Sequence, residues 1–283
     1  MHDLKLSTRC VVQVFALLLG LGAGSTPAPA QLFGVSEEQE IELGREAAKK
    51  VESDSPILRN DEITSYVNRV GQTLVPYSHR KNIKYSFKVV NSSEVNAFAL
   101  PGGFIYVNRG LLEAAQNESE IAGVLGHEIS HVVARHSADQ MKKAGLANLA
   151  LGGLAAVLGG SGGTVAGITK IGAELGTNAA FMKFSRDDER EADKLGAQNV
   201  YDAGYDPRGM VTFFEKLEQL RKTEPNKLET FFSTHPSSAE RVSNVSQEIQ
   251  SFPRKQGLKV NDPRFADLKR RLNELPKAPA PKS

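Results

Sequence analysis

The chain has 283 residues, 40% of them hydrophobic and 24% charged, the make-up of an ordinary globular protein. Its 35 basic and 33 acidic residues leave a formal net charge of +2, so no overall electrostatic bias draws it to nucleic acid. The single cysteine, Cys10, rules out a disulfide framework, a cysteine-ligated zinc finger and an iron–sulfur protein.

Lys5 and Arg9 precede an apolar run from Cys10 to Gly24, and small residues follow to Ala28-Pro29-Ala30. That order reads as a secretory signal peptide over residues 1–30, cleaved before Gln31. An uncleaved N-terminal membrane anchor is the alternative, although the run is short of the roughly 20 apolar residues a span needs. A mature chain without cysteine suits an oxidising compartment. Residues 31–275 are then expected to form one domain, and 276–283 a disordered, basic, proline-rich tail.

Ser36 with Gln39 forms a capping-box pattern that opens a polar helix to about Lys50. A second helix runs from about Asp61 to Val75 and stops at Pro76. Alternation at Tyr85, Phe87 and Val89 predicts a half-buried strand. Asn96 to Leu100, the turn Pro101-Gly102-Gly103, and Phe104 to Val107 read as strand, turn, strand. Asn117 with Glu120 caps a helix whose Ile121, Val124, Leu125 and Ile129 follow helical spacing. Residues 145–168 are uncharged and hold eight glycines. They read as a loop or helical hairpin near the active site, with a membrane-dipping hairpin as the other reading. Helices follow from Ser185 to Gly204, from Asp206-Pro207, and after His235-Pro236. Phe265, Leu268, Leu272 and Leu275 predict a short docked helix.

The stretch His127-Glu128-Ile129-Ser130-His131 carries the chemistry. Residues four apart on an α-helix differ by about 40° in direction. Both imidazoles therefore leave one face and can share a zinc ion, with Glu128 beside them to take a proton from the activated water. Catalytic zinc needs a third protein ligand. His136, nine residues past His127 on a continuous helix, would face the opposite side, and is expected to be structural. Glu189 is the better candidate. It lies four residues before Asp193, so both carboxylates look one way, one to hold metal and one to grip a ligand imidazole. A charged, solvated helix face explains the same spacing.

His127-Glu128-x-x-His131, Glu189-x-x-x-Asp193, Thr234-His235-Pro236 with Arg241, and Asn96-Ala97-Phe98-Ala99-Leu100-Pro101-Gly102-Gly103 together resemble the gluzincin peptidases of the HtpX/CAAX-prenyl-protease group. The likeness runs from about Ser36 to Arg241 and is similar to that group's soluble periplasmic, BepA/LoiP-type members. It implies an α+β, predominantly α fold, with an active-site helix, a second ligand-bearing helix and a small sheet with an exposed edge strand. One Zn2+ per chain would be held by His127, His131 and Glu189, with Glu128 as general base and Asp193 supporting a ligand. His235 and Arg241 would approach the metal to steady the oxyanion or to regulate access. Asn96, Ala97, Phe98 and Ala99 would bind an extended substrate. The implied activity is endoproteolysis of misfolded or misassembled envelope polypeptides, in possible association with the membrane or outer-membrane assembly machinery. A chaperone-like or scaffolding factor with a latent zinc site is the alternative.

Overall fold

The structure, a computed structural model, describes residues 36–140, 183–236 and 239–280. The expected signal peptide and the glycine-rich stretch 145–168 lie outside the described residues. Helix α1 (Glu37–Asp54) opens on the expected capping box: the Ser36 side chain accepts from Gln39 N–H while the Gln39 side chain accepts from Ser36 N–H. Helix α2 (Asp61–Leu74) is capped by Asn60 and passes at Pro76 into a 3-10 turn.

Strands β1 (Ser86–Val90), β2 (Ala97–Leu100) and β3 (Phe104–Asn108) form one sheet in the order β1-β3-β2. β3 runs parallel to β1 and antiparallel to β2. Alternation sorts the side chains by face. Phe87, Val89, Ala97, Ala99, Ile105 and Val107 join the main core. Val90, Leu100 and Tyr106 join a smaller cluster with Ala47, Ala48 and Val51 of α1. The sheet is thus covered on both faces. β2 lies at one edge.

After a short α3 (Arg109–Ala114), helix α4 (Glu118–Val133) runs through the middle of the main core. It is buried from Glu118 to Val132, polar residues included. Ile121, Leu125 and Ile129 are wholly buried, and each contributes about 2 kcal/mol, which helps offset the desolvation of the polar side chains on the same helix. Against it pack α5 (Arg186–Asp202) and α6 (Arg208–Thr223); α7 (Glu229–Thr234) follows, α8 (Ala239–Ser251) packs on α5 and α6, and α9 (Arg264–Glu274) packs on α2 and α3. Residues 276–280, expected to belong to a disordered tail, run along the body. Arg109 Nη1 donates to Pro276 O at 2.6 Å, and Ser93 N–H donates to Pro279 O at 2.9 Å. Among the described residues no helix is long and apolar enough to cross a membrane.

Candidate metal centre

Two glycines bring α4 and α5 together. A Cβ on Gly126 would lie 2.7 Å from Val200 Cγ2 and 3.1 Å from Gly196 O. One on Gly196 would lie 3.0 Å from the His127 backbone nitrogen. With neither Cβ present the helices meet nearly backbone to backbone. His127 follows Gly126 directly, and Asp193 and Glu189 stand three and seven residues before Gly196 on the same face of α5. The close crossing therefore puts the two imidazoles opposite the two carboxylates.

His127, His131, Glu189 and His235 each offer one ligand atom, and these four atoms lie within 4.8 Å of one another, all buried. His127 Nε2 is 3.0 Å from His131 Nε2 and 3.4 Å from His235 Nδ1. Glu189 Oε1 is 3.4 Å from His131 Nε2 and 2.9 Å from His235 Nδ1. A tetrahedral zinc with bonds near 2.0–2.1 Å requires ligand atoms about 3.3 Å apart. The measured edges scatter around that value, so the donor set fits such an ion. Beside the donors, both oxygens of Glu128 are buried without a hydrogen-bond partner, as a carboxylate left for a ligand would be.

Electrostatics sort the charges. Burial raises the Glu128 carboxyl above its ordinary range, with His235 and His127 opposing. Burial would raise Glu189 too, but His235 and Arg241 hold it well below. Burial keeps His131 well below the usual imidazole value, which favours the neutral, ligand-competent form.

The supporting groups are as specific as the ligand atoms. Asp193 Oδ1 lies 2.9 Å from His127 Nδ1, the nitrogen turned away from the centre. Arg241 clamps both carboxylates: Nε and Nη2 donate to Asp193 at 2.7 Å, and Nη1 stands 2.7 Å from Glu189 Oε2. Its guanidinium also sits 4.3 Å over the Phe214 ring. Arg241, expected to steady an oxyanion or to regulate access, is here engaged with both carboxylates.

His136 corrects the expectation drawn from a continuous helix. α4 ends at Val133, Arg135 takes a left-handed φ of 59°, and the helix restarts at residue 136. The reversal brings His136 Nδ1 to 2.9 Å from His131 Nδ1. Glu40 holds the bend, accepting from Arg135 Nε at 2.7 Å and from the buried Arg80. Sequence spacing missed this because the break follows from a non-glycine residue in the left-handed region.

His235 caps the C-terminus of α7, its N–H donating to Phe231 O at 2.8 Å, and α8 follows Pro236 as expected. Thr234 O accepts from Phe184 N–H at 3.0 Å, and the Phe184 ring stacks on His131 with centroids 3.9 Å apart.

On the edge strand, Asn108 N–H donates to Asn96 O at 2.9 Å, so Asn96/Asn108 is a hydrogen-bonded pair. Antiparallel pairs alternate, which turns the backbone groups of Asn96 and Phe98 toward β3 and those of Ala97 and Ala99 outward. Of the four residues expected to meet an extended chain, two therefore present backbone. Ser137 Oγ already lies 3.4 Å from Ala99 O.

Residues 61–249 match the model for Peptidase family M48. The chain is 32% identical over 232 residues to the beta-barrel assembly-enhancing protease of Escherichia coli (strain K12), which covers 80% of this chain and 45% of that protein. It is 31% identical over 216 residues to the mitochondrial metalloendopeptidase OMA1 of Schizosaccharomyces pombe, covering 75% and 62%. With the metalloprotease LoiP of Escherichia coli (strain K12) it shares 30% identity over 222 residues, covering 78% and 84%. The chain spans less than half the length of the first of these relatives. The paired imidazoles of α4, the facing carboxylates of α5 and the family match over residues 61–249 agree: the chain belongs to peptidase family M48.

Proposed function

We propose that the chain is a zinc-dependent endopeptidase that cuts misfolded or misassembled polypeptides in the bacterial envelope. His127, His131 and Glu189 would hold the ion, and Glu128 would serve as general base. The buried, unpartnered carboxylate of Glu128, placed one residue after a ligand histidine and outside the four-donor set, is the observation that carries this reading. A scaffold has no use for it, and leaving it without a hydrogen bond costs stability.

Zinc at this centre supplies Lewis acidity, polarising the scissile carbonyl and acidifying the attacking water. The chain's own residues do the rest. Glu128, its carboxyl raised by burial, takes the water proton and delivers it to the leaving amine, a task suited to a pKa nearer neutrality. Asp193 orients His127, and Arg241 fixes Glu189 and Asp193 against each other. That clamp supports a positioning role for Arg241. Ala97 and Ala99 offer outward backbone groups to an extended substrate, and such pairing reads unfolded chain more than side-chain identity. The name of one relative, a beta-barrel assembly-enhancing protease, supports envelope polypeptides as the substrate class. Export through the N-terminal residues 1–30 belongs to the same reading.

The test is metal analysis with casein digestion of wild type and Glu128→Gln. Both proteins should bind one zinc per chain, and the variant should lose 10²-fold or more of its turnover, on the order expected for a general base. Near-wild-type proteolysis by the variant would refute the assignment.

A further inference from the structure

We propose that His136 is the positioning residue for His131: its Nδ1 accepts the Nδ1–H of His131 and so keeps the Nε2 lone pair of His131 turned to the metal. The inference rests on the metal-centre reading above and goes beyond it, since it concerns a residue outside the donor set.

The argument is one of proton placement. Nε2 of His131 faces the centre, 3.0 Å from His127 Nε2 and 3.4 Å from Glu189 Oε1. To ligate through Nε2, the neutral ring must carry its proton on Nδ1. That N–H is buried and needs an acceptor. The group within reach is His136 Nδ1, at 2.9 Å. His136 must then be protonated on Nε2, and that nitrogen points to carboxylates: Glu191 Oε2 at 3.3 Å and Asp188 Oδ1 at 3.8 Å. One tautomer of each ring satisfies every group in the chain from Glu191 through His136 to His131. The opposite pair of tautomers would point a proton at the metal. Phe184, stacked on His131 at 3.9 Å, fixes the plane of the ring but accepts nothing at its edge.

The two α4 ligands are thus oriented by different means, His127 by the Asp193 carboxylate and His131 by a second imidazole. The bend at Arg135 is what makes the second arrangement possible. Without it residue 136 would continue the helix and leave the Nδ1–H of His131 unmatched. The left-handed residue, a strained conformation for a side chain with a Cβ, has a purpose here.

Two substitutions separate this role from simple packing. His136→Gln keeps an amide oxygen that can accept the proton, whereas His136→Leu fills similar space and accepts nothing. Zinc affinity of the full chain is read by competition with a chromophoric chelator, the ligand field by the visible spectrum of the cobalt-substituted protein, and the fold by the melting temperature of the metal-free form. His136→Leu should bind zinc 10- to 100-fold more weakly and shift the cobalt bands, while His136→Gln should stay near wild type. Wild-type affinity in His136→Leu would overturn the proposal. So would equal losses in both variants, which would mark a packing role. Failure of the wild type itself to bind zinc would overturn the underlying metal-centre reading, and that result is visible without any variant.

Discussion

At the scale of single residues, His235 presents the sharpest choice. Its Nδ1 lies 2.9 Å from Glu189 Oε1 and 3.4 Å from His127 Nε2, where a fourth ligand completes a tetrahedron. A catalytic centre keeps that position open for water, so the described arrangement is a closed one. Burial of all four donors agrees with it. Opening requires the C-terminus of α7 to withdraw, which among the described residues breaks the backbone bond from Phe184 to Thr234 and the packing of Phe184 against the ring. His235→Ala should therefore raise casein turnover per zinc-loaded molecule. A lower rate would instead make His235 a direct participant in catalysis, and an unchanged rate would leave it only its helix-capping role. The donors themselves were legible in the sequence, because i,i+4 spacing on a helix fixes direction. The third donor was legible only as a candidate, since a solvated acidic face has the same spacing. The role of His136 was hidden, because nothing in the residues around Arg135 announces a left-handed break.

Among the elements, the crossing of α4 and α5 decides whether the site exists at all. Gly196→Ala would push a Cβ to 3.0 Å from His127 N and 3.1 Å from Gly126 C, both backbone atoms that cannot swing aside. The helices must then separate by a few tenths of an ångström, moving Glu189 and Asp193 away from the imidazoles. Overpacking of this kind costs about 1–3 kcal/mol. Gly204→Ala is the comparison: at φ 86° it strains the backbone past the end of α5, but its Cβ would meet nothing within 4 Å. At comparable loss of melting temperature, Gly196→Ala should weaken zinc binding and Gly204→Ala should not. Equal affinities would show that the close crossing does not set the site geometry. The helices themselves were readable from their caps, since Ser36, Asn117 and Ser185 each accept from a first-turn N–H as their sequence context suggests. The short helices α3 and α7 were not, because six residues hold too little periodicity to register. The parallel pairing of β1 with β3 was equally invisible, as strand order is set by tertiary packing and not by local pattern.

At the scale of the whole molecule, the N-terminus of α4 is anchored by residues drawn from three distant parts of the chain. Glu118, fully buried, accepts from Tyr66 of α2 at 2.6 Å and from Tyr205, just after α5, at 2.9 Å. Lys259, in the loop before α9, closes the cluster at 2.5 Å from Oε1. The active-site helix is thereby tied to segments about 50, 90 and 140 residues away, consistent with contact pairs that span the fold. Burial would raise the Glu118 carboxyl, but the hydrogen bonds from Lys259, Tyr66 and Tyr205 outweigh it and hold the group below its ordinary value. Glu118→Ala would leave two buried hydroxyls without their acceptor and take from Lys259 its nearest carboxylate, at a cost of about 3 kcal/mol at neutral pH. Because the folded carboxyl titrates below the unfolded one, its contribution is complete above about pH 4.3 and is lost as the pH falls further. Urea titrations of the metal-free protein should show the wild type and Glu118→Ala well separated at pH 7 and converging at acid pH. A gap that stayed constant with pH would mean that the cluster stabilises by packing alone, and that the charge on Glu118 has no part in anchoring the active-site helix.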